Sequence, residues 1–260
     1  MTSPRWLRRA RPLLGTLVEV GVPEGCDDAV ELAFGVIEQV QQWMSVHDAK
    51  SDVSRLHNAP VDTEVAIHPW TGEVLTLAAQ LAMQTGGLFD VARGSGRWSS
   101  RGTNGQATGQ AWAMRHAPAC RLDLGGIAKG WAVDKAIDAV LASGVSAVWV
   151  NAGGDLRCQG VTVPVVLRDE VTGGTRPWLH LSDGAVATSW FAEGGRVSLY
   201  GRPGASHVSV AAPRCAVADA LTKVVAQVGH GDDALIAPLL AAHGAQMWIH
   251  GQTRPSAGHQ

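Results

Sequence analysis

Residues 122–134, LDLGGIAKGWAVD, run an apolar strand into an acid, two adjacent glycines and a lysine, and then directly into a helix. Glycines at a strand-to-helix turn let backbone come close to a neighbour, and the N–H groups that open a helix attract anions. Asp123 at the same turn cuts against a bare anion site and suggests a polar ligand or a metal as well. Lys129 falls in the first helical turn, where the helix dipole disfavours a cation, so it should answer a nearby negative group. The pattern is neither GxxxxGK[ST] nor GxGxxG. On these residues alone a phosphate-bearing ligand and a plain tight turn are both open.

Working outward, residues 128–142 read as a helix with Val133, Ile137, Val140 and Leu141 on one face and Gly144 as its stop. SAVWVNAGGDLRCQG follows as a buried strand entering a second glycine turn, and two such turns could wall one ligand. Upstream, an alternation at residues 17–20 predicts the first strand, residues 27–46 an amphipathic helix, and residues 73–85 a second helix closed by Gly86-Gly87. A short strand is expected after HDAKSDVSRLHNAP, whose Ser54 and Arg55 would sit in a helical turn capped by Ser51. Residues 93–110 lack periodicity and read as a mobile loop. Downstream come strands at 162–168 and 178–181, a loop at 191–204, the strand SHVSVAAP, a helix at 217–228 and the strand QMWIHG. Helices separated by strand clusters predict an α+β fold, with mixed or antiparallel sheets and packed helices in a single compact domain. That domain is expected over residues 9–252, between loose termini at 1–8 and 253–260.

The 260 residues are 46% hydrophobic and 17% charged, ample for a sizeable core, and their net charge of −2 gives no electrostatic argument for nucleic acid or an anionic membrane. No apolar run approaches the roughly 20 residues that span a bilayer. The basic and apolar start, MTSPRWLRRARPLLGTLVEV, is broken by Pro12, Gly15, Thr16 and Glu19, so a strand fits better than a signal peptide and a cytoplasmic location is expected. Cys26, Cys120, Cys158 and Cys215 are far apart and read as isolated thiols.

In the helix AVADALTKVVAQV, Leu221, Val224, Val225 and Val228 fall on one face and Asp219, Thr222 and Lys223 on the other. Either the polar face is solvated, with Asp219 complementing the helix dipole, or the carboxylate and hydroxyl are oxygen ligands for a hard cation such as Mg²⁺. Asp90, in GGLFDVARG, reads by itself as a turn acid. No Ser-His-Asp or paired-carboxylate signature is readable by spacing, and no catalytic base can be assigned.

Taken in order, RARPLLGT, SVHDAKSDVSRLHN, GGLFD, LDLGGIAKGWAVDKA, VNAGGDLR, VATS and APRCAVADAL resemble the ApbE-type FAD:protein FMN transferases. The resemblance implies an enzyme that cleaves the FAD pyrophosphate, moves FMN onto a threonine hydroxyl of an acceptor flavoprotein and releases AMP. It also implies that Leu14, His47, Leu88, Phe89, Asp90, Asp123 and Lys129 line the flavin nucleotide site, and that Asp219 holds Mg²⁺ with Thr222 and the backbone of Gly126. Three positions depart from the family pattern. Lys223 stands where a threonine is usual, RVSLYGRPGAS replaces an HIxDPxTG segment, and ATSW replaces ATSG. An FAD-binding relative without transfer activity, serving as a flavin holder or maturation factor, and an FAD pyrophosphatase giving FMN and AMP are the alternatives.

Overall fold

The computed structural model describes residues 5–101, 110–168, 173–191, 207–229 and 233–250. Its larger sheet has seven strands in the order β1-β2-β6-β7-β8-β9-β10, every neighbouring pair antiparallel. These are β1 (Trp6–Leu13), β2 (Thr16–Pro23), β6 (Val148–Ala152), β7 (Asp155–Arg168), β8 (Thr175–Trp190), β9 (His207–Ala212) and β10 (Gln246–His250). A smaller antiparallel sheet, ordered β3-β5-β4, joins β3 (Val65–Ile67), β5 (Ala111–Arg115) and β4 (Trp98–Arg101). The helices are α1 (Asp27–Met44), α2 (Asp52–Asn58), α3 (Pro69–Gln84), α4 (Ala128–Ala142), α5 (Cys215–Val228) and α6 (Asp233–Ala242).

Strand alternation sets the layers. Val148, Val150 and Ala152 of β6 and Ala185 and Ala187 of β8 point into the main core with Phe34 and Ile37 of α1, Ile137 of α4 and Leu221 of α5. Trp149 and Val186, one residue out of phase, join Leu156, Cys158 and Leu181 in a small cluster on the opposite face. The α+β class holds, in its antiparallel form.

Several boundaries differ from the sequence reading. β1 starts at Trp6, inside the stretch expected to be a loose terminus, because each of its residues has a β2 partner from Trp6↔Pro23 to Leu13↔Thr16. α3 begins at Pro69, four residues early: proline suits a first helical turn, and the His68 ring accepts a hydrogen bond from the Trp70 N–H at 3.2 Å. The expected 93–110 loop contains β4, and residues 102–109 lie outside the described residues. β7 and β8 are much longer than read, and α6 carries no signal that periodicity caught. Most of the 191–204 loop, the RVSLYGRPGAS segment and the 253–260 tail also lie outside the described residues.

Candidate functional site

The 122–134 stretch is first of all a docking surface for α5. A Cβ on Gly130 would overlap the Cys215 carbonyl, so only glycine lets the α4 and α5 backbones meet. Four residues on, Asp134 is fully buried, and its carboxylate accepts hydrogen bonds from the Cys215 N–H at 2.9 Å and the Ala216 N–H at 3.0 Å. It thus caps α5 from another helix, with Arg157 and Arg214 as counter-charges at 3.2 and 3.5 Å. Every residue of α5 from Cys215 to Ala226 is buried. The polar stripe Asp219–Thr222–Lys223 therefore does not face solvent.

It faces a charge cluster. The Lys129 ammonium on α4 contacts the buried Asp155 carboxylate, and its Nζ stands 3.6 Å from Asp219 Oδ2, a buried oxygen with no hydrogen-bond partner. The Lys223 ammonium contacts Asp219 Oδ1 and donates to the Asp219 carbonyl at 3.0 Å and to Ser189 Oγ at 3.1 Å. Thr222 Oγ1 donates to the same carbonyl at 2.7 Å and lies 2.8 Å from Ser189 Oγ. Burial and the neighbouring Asp219 charge push the Asp155 carboxyl up to about 6. Burial pushes Asp219 in the same direction, but the Lys129 and Lys223 ammoniums outweigh it and hold Asp219 down to about 2. Burial likewise works against the Lys129 ammonium, yet the Asp155 and Asp219 charges raise its pKa. Lys129 does answer anions, as its place in the helix suggested, and these two belong to the chain itself.

Three turns converge on this cluster. In the first, Asp123 folds its carboxylate over the glycines, accepting from the Gly125 N–H at 2.8 Å and from Arg93 Nη2 at 2.6 Å. A Cβ on Gly126 would lie 3.4 Å from Lys223 Cε and 3.6 Å from Phe89 Cε2, so both side chains border that backbone. The second turn holds Leu88, Phe89 and Asp90: Leu88 O is tied to Gln227 of α5 at 2.7 Å, Phe89 is buried, and Asp90 accepts from the Ala92 and Gly94 N–H groups at 2.8 and 2.7 Å. Asp90 is thus the turn acid that the sequence suggested. The third is the β6–β7 hairpin, where Gly153 and Gly154 take φ of +61° and +102° and deliver Asp155. NAGGDLR is therefore a β-hairpin that supplies a carboxylate.

Leu14 sits at the β1–β2 turn with φ +55°, and its N–H donates to Gln41 Oε1 at 2.6 Å. Thr16, beside it, packs against Gly153. His47 lies on the exposed turn after α1, its N–H held by Ser45 Oγ at 3.1 Å. Ser51 caps α2 as expected, accepting from the Ser54 N–H at 3.0 Å.

Sequence reasoning missed Asp155 and Ser189 as members of the cluster; the unanswered charge of Lys129 was the available signal for Asp155. It also missed Arg115, a buried guanidinium that donates to the carbonyls of Leu56, Ala59, Pro118 and Cys120 at 2.7–3.2 Å. A Ser–His–Asp chain, invisible in spacing, links Ser99 Oγ to His116 Nε2 at 3.0 Å and His116 Nδ1 to Asp62 at 2.7 Å. Its serine and aspartate are exposed on the small sheet, and it ties three segments together there.

The atoms that the resemblance assigns to Mg²⁺ do not fit a divalent ion. A hard dication takes about six oxygen ligands. Here one Asp219 oxygen is occupied by an ammonium, the other faces a second ammonium, Thr222 is satisfied internally and the Lys223 stem borders Gly126. Among the described residues no three His, Cys, Asp or Glu side chains converge as a metal-ligand group.

Solved structures with this arrangement of elements include the flavin transferase ApbE from Vibrio cholerae, 20% identical, with a TM-score of 0.77 over 96% of this chain and 95% of that one. The ApbE protein from Thermotoga maritima is 22% identical, with a TM-score of 0.77 over 94% of each chain. The flavinyl transferase ApbE from Pseudomonas stutzeri, in its apo form, is 18% identical, with a TM-score of 0.74 over 96% and 93%. At these identities the likeness is one of fold. No curated protein matches the chain significantly. The family model for ApbE matches residues 14–194, from the strained Leu14 turn through the Lys129–Asp155 pair to the Ser189 strand, and on that match the chain belongs to the ApbE family.

Proposed function

We propose that the chain is an FAD:protein FMN transferase, moving FMN from FAD onto a threonine hydroxyl of an acceptor flavoprotein. One observation carries the reading. In a member of this family, three turns converge on a cluster in which two buried carboxylates hold the ammonium of Lys129, whose side chain is partly exposed. An ammonium fixed in that way is preorganised to attract a pyrophosphate without reorganisation. Phe89, Leu88 and Leu14 offer apolar surface to the flavin, and Asp123 and Asp90 rigidify the turns beside it; His47 completes the proposed lining.

In this reaction the threonine oxygen attacks the phosphorus on the FMN side of the pyrophosphate. The bond to the bridging oxygen breaks and AMP leaves with that oxygen, while the hydroxyl proton passes to the leaving phosphate or to solvent. The chain's own part is positioning and charge: Lys129 faces the phosphate anion, and Asp155 and Asp219 hold Lys129 by its other side. No base is assigned. The Mg²⁺ that the resemblance implies would add charge at the phosphates, but the groups around Asp219 do not fit it and no step is routed through it.

A second reading, an FAD holder without transfer, is favoured by one observation: all three N–H donors of Lys223 are already engaged within the chain. Incubating the protein with FAD and a threonine-bearing acceptor, then measuring AMP by chromatography and acceptor mass, separates the cases. AMP with a mass gain of one FMN on the acceptor is expected. AMP with free FMN and an unchanged acceptor would make the protein a pyrophosphatase, and bound FAD with no AMP would make it a holder.

A further inference from the structure

Lys223 bonds Asp219, borders Gly126 and reaches Thr222 through Ser189; Asp219, Gly126 and Thr222 are the three residues that the family resemblance gives to a cation. Its ammonium bonds the Asp219 carboxylate, the Asp219 carbonyl and Ser189 Oγ; its stem lies against Gly126; and Ser189 Oγ passes the contact on to Thr222. Three N–H donors meet three acceptors, which is the full capacity of a lysine. The side chain is 7% exposed and arrives from the same helix as Asp219, one turn later, so its position is set by the helix itself.

We propose that the Lys223 ammonium is this chain's fixed cation, seated between Asp219, Ser189 and the Gly126 turn, and that its anion site works without a divalent ion. The inference rests on the FAD reading for the identity of the anion, but not for the cation. A dication beside Asp219 would face the Lys223 charge at close range in a buried setting, where like charges repel far more strongly than in water. Removing Lys223 would leave Asp219 a buried carboxylate with one counter-charge fewer, which no protein group in its place supplies. A tethered ammonium meets the same demand and cannot be chelated. It carries one charge where a metal ion carries two. With Lys129 and Lys223 against Asp155 and Asp219, the cluster is neutral when all four are ionised, and the part-exposed Lys129 is the ammonium left to meet a phosphate.

The test uses the intact protein, stripped of metal. Titrating it with MnCl2 by electron paramagnetic resonance, without flavin, should show no binding tighter than about millimolar, and its FAD affinity by calorimetry should agree within about twofold between EDTA and excess MgCl2. Lys223→Thr puts a hydroxyl one turn after Asp219 and removes the ammonium. It should gain Mn²⁺ binding and a Mg²⁺-dependent rise in Tm of about 3 °C or more. Micromolar Mn²⁺ binding by the unaltered protein, or a tenfold or greater loss of FAD affinity in EDTA, would overturn the proposal, as would a folded Lys223→Thr that binds no Mn²⁺. If the unaltered protein binds no FAD under either condition, the transferase reading falls, while the Mn²⁺ titration still decides the cation.

Discussion

Leu14 holds a left-handed backbone, φ +55°, in a two-residue turn whose second member, Gly15, takes φ +71°. A leucine there pays for its Cβ, since the left-handed region costs an L-residue roughly 1–2 kcal/mol. Position 14 should therefore invert the usual order of small substitutions: Leu14→Gly should be about 1 kcal/mol more stable than Leu14→Ala in urea unfolding, because only glycine removes the strain along with the side chain. Equal stabilities would show that the turn carries no strain. Keeping leucine at such a place fits a contact that the fold itself does not need, as the proposed flavin lining supplies, and both variants should then weaken FAD binding alike.

The element that organises the site is α5, and its first turn is capped by a neighbour. Asp134→Asn keeps the size of the side chain but removes the charge that faces Arg157, Arg214 and two N–H groups. It should destabilise the protein by about 1–2 kcal/mol, the scale of a lost helix cap, since Arg157 and Arg214 keep Asp138 as a partner, and this should appear as a lower urea midpoint. A midpoint within experimental error of the unaltered protein would remove the capping role. The same helix shows where sequence reading stops. Its apolar stripe was legible because periodicity is a property of one segment, and so were the bounds of α4. Its polar stripe was not, since Asp219, Thr222 and Lys223 look the same in sequence whether they meet water or meet Lys129 and Ser189. Burial of that face is decided by Gly130, 85 residues before Cys215 in the chain, and no local pattern joins the two.

Four histidines spread across the molecule lean one way. Burial holds His57, His68, His243 and His250 below the ordinary histidine value of 6.5; the Arg121 and Arg115 charges reinforce it at His57 and the Arg176 charge at His250. In the window just below 6.5 the unfolded chain takes up protons at these positions that the folded chain refuses, so stability falls as pH drops through it. Asp155, pushed up to about 6, works in the opposite direction, binding a proton when folded that it lacks when unfolded. Replacing His57 by Gln removes one histidine contribution and leaves that of Asp155, so from pH 7.5 to 5.5 the Tm of the variant should fall less, or rise more, than that of the unaltered protein. Parallel Tm profiles for the two proteins would remove the His57 contribution. At this scale β1, β4, β5 and α6 went unread, while the fold class and the order of the other elements were legible, because glycine turns and alternation mark them along the chain. Strand partners were not, since β2 pairs with β6 across the intervening α1–α4 segment.

That pairing has a consequence while the chain is being made. The β1–β2 hairpin emerges from the ribosome well before β6, and the edge of β2 finds no partner until β6 has been translated. At synthesis rates of about 5–20 residues per second, the hairpin waits roughly 6–25 s with a row of open backbone donors and acceptors. Nascent chains halted between α1 and β6 should therefore be the ones that engage chaperones, and those released after β6 should not.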